Sequence, residues 1–139
     1  FDARYVAGRR PLETAVERAN RAFERDDAIA DDRGIEVLLY AAGRRQIERA
    51  LEMGVTEGRG PVVVVVDAGP AGDGDAPGDE AGAAEAVTAL LDPADVLGSE
   101  RDEARICAFF DIPEAERAAT DAGLALLVVE RVSLLAIEK

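Results

Sequence analysis

The sequence predicts a single α/β or α+β domain: a small mixed β-sheet with a buried, valine-rich central strand, packed by several short helices. Three observations predict it. Residues 61–67 read Pro-Val-Val-Val-Val-Val-Asp, too short and too β-branched for a helix and apolar enough for a strand covered on both faces. Around that run, segments with apolar residues at helical spacing alternate with Gly, Pro and Asp punctuation. The 139 residues give room for one core, burying roughly two-thirds of the unfolded surface, and for no second domain.

In chain order, residues 2–7 read as the end of a strand, with Tyr5 and Val6 entering a turn at Gly8. Phe1 is not an initiator methionine, so the N-terminal strand is expected to be truncated. Pro11 suits a first helical turn, and Leu12, Ala15, Val16, Ala19, Ala22 and Phe23 follow the spacing of one buried face, which predicts a helix over 11–25. An apolar helix over 35–42 runs to Gly43. A second amphipathic stretch over 44–53 puts Ile47, Ala50 and Leu51 on one side and closes at Gly54. After the valine run, residues 69–82 are Gly, Pro, Asp and Ala with little to bury, and read as an acidic flexible loop. Residues 83–91 suit a helix, and Val96-Leu97 a brief strand. Ser99 with Asp102 resembles a capping box for a helix through Phe110, and Pro113 restarts a helix through Thr120. Leu124, Leu127, Val128, Val132, Leu135 and Ala136 predict a C-terminal helix, although residues 126–129 also suit a strand.

Composition narrows the function. The net charge of −13 comes from 29 acidic against 16 basic residues, and only Lys139 of the basic ones is lysine. Such a surface stays hydrated where counterions abound, which points to a halophile's cytoplasm. The single cysteine, Cys107, excludes an internal disulfide, and no apolar run reaches the roughly 20 residues a bilayer needs. With no histidine there is no Ser-His or Cys-His pair and no His-based metal site. A binding subunit without cofactor or metal is therefore expected rather than an enzyme. The Gly-Pro-Ala-Gly-Asp-Gly stretch after the valines has neither phosphate-loop spacing nor a lysine, and its acids repel an anion. Pro77 and the missing loop-end glutamate argue against calcium.

The informative segment surrounds Gly43, Arg44, Arg45 and Gln46, where two arginines stand at the start of a helix against the macrodipole. Two readings stand level on these residues alone. Positive charge, backbone N–H groups and a planar amide gather where a phosphate or base edge can be held, or the arginines merely pair with Glu48 and Glu52.

The pattern Glu36, Leu38, Leu39, Gly43, Arg45, Gln46, Ile47, Ala50, Leu51 and Gly54 resembles the Cgi-type small subunit of the KEOPS complex, the PRPK-binding protein family. The resemblance implies a non-catalytic partner of the kinase-like ATPase subunit. Through the complex it also serves the threonylcarbamoyl transferase subunit, which installs threonylcarbamoyladenosine in tRNA. It further implies contact with the 3′ CCA tail of tRNA, which falls here on Gly43, Arg44, Arg45 and Gln46. Kinase docking is expected on the C-terminal helix at Leu127, Val128 and Leu135. The alternatives are a protein-only adaptor and a small carboxylate-dependent enzyme.

Overall fold

The computed structural model describes residues 1–68, 80–99 and 101–138. Helices dominate: α1 (Arg9–Glu24), α2 (Arg33–Ala42), α3 (Ile47–Ala50) running into a 3-10 turn (Leu51–Met53), α4 (Glu80–Leu90), α5 (Val96–Ser99), α6 (Glu103–Phe109), α7 (Glu114–Ala118) and α8 (Leu124–Glu138). Pro11 lies inside the first turn of α1, where its missing N–H has no intrahelical partner to lose. Ala15, Ala19 and Ala22 give that helix a narrow, fully buried face, so α2 and α8 approach it closely. Leu39 and Tyr40 from α2 fill the centre together with Leu127, Val128, Val132 and Leu135 from α8. Ile106, Phe109, Phe110 and Ile112 close the core beside the N-terminal 3-10 turn (Ala3–Tyr5), with Phe109 edge-on to both Tyr5 and Phe110.

The expected mixed sheet is absent: among the described residues no segment forms a β-strand, and the fold is helical. The valine run is neither helix nor strand, and among the described residues it is bridged at one point, Asp2 to Val62 in antiparallel sense. Phe1 and Val63 exchange both backbone hydrogen bonds at 2.8 Å, and Ala3 N–H donates to the Pro61 carbonyl at 3.1 Å. The chain then curls into the 3-10 turn, and the ladder stops. Valines favour extended backbone, yet a sheet also needs a neighbour, and each neighbour the sequence offered went elsewhere. Residues 96–97 open α5, and 126–129 lie inside α8. Val64 and Val65 are consequently 50 % and 36 % exposed rather than central and buried.

Other boundaries move for local reasons. Residues 69–79 of the expected acidic loop lie outside the described residues, while 80–82 begin α4, none of whose residues is buried. Ser99 ends α5 and is not the N-cap residue of α6. Asp102 is, its carboxylate accepting from Arg105 N–H at 3.1 Å. The stretch 44–53 is helical only from Ile47, and it turns Ala50 and Met53 inward while Ile47 and Leu51 face out. Gly54 has extended rather than left-handed backbone.

Candidate functional site

The Gly43 turn is built by the end of α2. Gly43 N–H donates to the Tyr40 carbonyl and Arg44 N–H to that of Leu39, each at 3.0 Å, a paired closure that requires left-handed backbone at the glycine. Gly43 has φ +60°, and a Cβ there would lie 3.3 Å from the Arg131 carbonyl oxygen on α8. Any side chain is therefore opposed twice, by backbone conformation and by the neighbouring helix. The turn carries Arg44, Arg45 and Gln46 along the flank of α8 and delivers the chain to α3.

The four residues expected to act together separate. Arg44 turns inward: it lies over the Phe109 ring at 5.3 Å, donates to the Phe109 carbonyl and reaches Asp111 at 3.4 Å. Arg131 of α8 meets it there, donating to the Phe110 carbonyl at 3.3 Å and the Asp111 carbonyl at 3.2 Å. Carbonyls at a helix C-terminus lack intrahelical partners and carry the negative end of the dipole, so two guanidinium groups here cap α6. Sequence reasoning did not single out Arg131; its position on a mostly apolar helix beside Glu130 gave no signal of a partner so far along the chain.

Arg131 also grips Glu116 of α7 in a fork, at 2.7 and 2.6 Å. Hydrogen bonding and charge from Arg131 hold the Glu116 carboxyl below its ordinary range. The sign follows: the pair's contribution to stability is complete above the unfolded-state carboxylate pKa and fades as pH falls through the lower folded value. Arg131→Met is expected to return the Glu116 midpoint, read by side-chain NMR titration, towards the ordinary value. An unchanged midpoint would show that the fork does not persist in solution.

Arg45 and Gln46 are exposed, with Ile47 next to them 44 % exposed. Arg45 donates to the carbonyl of Glu138 at 3.3 Å, at the C-terminal end of α8. That contact accounts for a cation placed unfavourably against the start of α3, because it is favourably placed against the end of α8. Neither arginine pairs with Glu48 or Glu52, the alternative that the sequence left open; it is Arg49 that reaches Glu52, at 4.0 Å.

On α8 the residues expected to dock a kinase are core residues: Leu127, Val128 and Leu135 are 5 %, 2 % and 2 % exposed. The opposite face carries Leu126, Leu134 and Ile137 at 43 %, 37 % and 78 % exposure. At about 100° per residue these three fall within one quadrant, so dividing the helix into two faces would have found them. One concavity lies between residues 55–66 and residues 84–96, lined among others by Val62, Val64, Val66, Val87 and Leu90, and Asp2, which also lines it, is tied to Arg4 at 2.7 Å. Among the described residues no cluster of Cys, Asp or Glu is placed to hold a metal ion, and no helix is long and apolar enough to cross a membrane.

A family model described as kinase binding protein CGI-121 matches residues 1–136. No curated protein and no solved structure matches the chain.

Proposed function

The chain belongs to the CGI-121 family of kinase-binding proteins, and from that premise we propose that it is the small, non-catalytic accessory subunit of a KEOPS complex, where it binds the kinase-like ATPase subunit and the 3′ CCA tail of tRNA. In this reading it supports the threonylcarbamoyl transferase subunit in modifying tRNA and performs no chemistry of its own. One observation carries the RNA half: Arg45 and Gln46 are consecutive, exposed and held on a glycine turn whose path is fixed by α8. An exposed fork beside an exposed amide suits unpaired bases, which offer edges to hydrogen-bond and faces to stack on. A protein of charge −13 has no long-range pull on phosphate, so recognition has to be short-range. Arg44, committed to the end of α6, belongs to the support of this turn; that engagement is what favours the protein-only adaptor as a second reading.

Kinase docking is assigned in the same proposal to the exposed face of α8, at Leu126, Leu134 and Ile137. The RNA half is tested by tRNA affinity at fixed molar KCl, with tRNA lacking CCA as control. Arg45→Ala is expected to weaken binding by about 1–3 kcal/mol, and Arg45→Lys, which keeps the charge and loses the fork, by nearly as much. If both variants bind like the parent, or if removing CCA changes nothing, the adaptor reading stands instead.

A further inference from the structure

Resting on the proposed function, we infer that the last turn of α8 couples the kinase surface to the RNA surface, so that each partner binds more tightly when the other is present. Three observations meet at this turn. Leu135, 2 % exposed, anchors it in the core, while Ile137, 78 % exposed, points away from the core two residues later. The Glu138 carbonyl accepts from Arg45 at 3.3 Å. The turn bearing Arg45 leans on the same helix at Arg131, where a Cβ at position 43 would lie 3.3 Å from the Arg131 carbonyl oxygen. Glu138 is the last described residue of α8, and a terminal turn of a helix is held less firmly than its middle. A partner seated over Ile137 holds that end in helix and so holds the acceptor that orients Arg45.

The sign of the coupling follows from how Arg45 is held. Among the described residues one of its five N–H donors is used, by Glu138, and the rest of the fork stays available to a base or phosphate. RNA then meets a guanidinium already oriented and spends less entropy in ordering it. By linkage the kinase gains the same factor from RNA. The contact is exposed and, among the described residues, single, which limits the effect to about two- to five-fold.

The experiment measures the affinity of the 139-residue chain for a short single-stranded RNA ending in CCA, at fixed molar KCl. It is done without and with the saturating kinase-like ATPase subunit of a KEOPS complex, and kinase affinity is measured without and with the RNA. Equal tightening in both directions is expected, falling to a factor of one in Arg45→Ala. Ile137→Gly, a substitution at an exposed position that loosens the last turn, is expected to weaken RNA binding about two-fold with no kinase present. RNA binding that is indifferent to kinase, or a factor that survives in Arg45→Ala, overturns this inference alone. An absence of RNA binding by the parent chain overturns the reading of Arg45 and this inference with it.

Discussion

Glu36→Ala is expected to be the most destabilising single change outside the apolar core, costing about 3–5 kcal/mol. Glu36 sits in the first turn of α2 with no solvent exposure, and its carboxylate reaches back to accept from Ile29 N–H at 3.1 Å and Ala30 N–H at 2.8 Å. These two donors belong to the connection between α1 and α2, which has no ladder of its own to satisfy them. Alanine orphans both at roughly 1–3 kcal/mol each and leaves a void where the side chain stood. Against a total stability of about 5–15 kcal/mol, that loss lowers Tm by roughly 10–15 °C. Glu36→Gln keeps the volume and one oxygen but turns an amide donor towards the second N–H, so about half the loss is expected. Denaturant melts of the parent and both variants at fixed molar KCl decide it. An alanine variant within about 0.5 kcal/mol of the parent would mean that the carboxylate does not fasten this connection.

Arginine at Ile137 or Leu134 is expected to weaken kinase binding at least 30-fold while leaving the fold intact. The apolar residues of α8 divide into two sets with different duties. Leu124, Leu127, Val128, Val132 and Leu135 are buried against α1 and the rest of the core, whereas Leu126, Leu134 and Ile137 face outward. The spacing sets the division, because at about 100° per residue the two groups occupy opposite halves of the helix. Leucine and isoleucine on an outer face gain by being covered, and in the proposed reading the kinase is what covers them. A charge at the centre of such a contact has to be desolvated without a counter-charge, a loss of about 2 kcal/mol or more. Leu127→Arg serves as the contrast, because it places the same charge in the core and is expected to unfold the domain. Ile137→Arg, Leu134→Arg and Leu126→Arg variants that fold and all bind kinase like the parent would move the interface off α8.

Local chemistry made part of this molecule legible from its sequence. The period of Leu12, Ala15, Ala19 and Ala22 identified α1 and its buried face, and that of Leu124, Leu127, Val128, Val132 and Leu135 did the same for α8. Gly43 and Pro113 marked the end of one helix and the start of another, because left-handed backbone and a missing N–H are properties of single residues. The motif around Gly43 was enough to suggest the family whose model matches residues 1–136. What depended on a distant partner was not legible. Five valines state a preference for extended backbone, but whether they become a strand is decided by what lies alongside, and residues 1–3 pair with only part of the run. Arg44 and Arg45 are adjacent and chemically identical; the end of α6 claimed one and the end of α8 the other, through contacts 65 and 93 residues away along the chain. Glu36 stood in the sequence only as the first residue of a family pattern, and nothing near it announced that the connection would fold over it and make it a buried acceptor. Propensity and period act within a few residues and are written in the sequence, whereas pairing, burial and the aim of a long side chain are set by segments that meet only when the chain has folded.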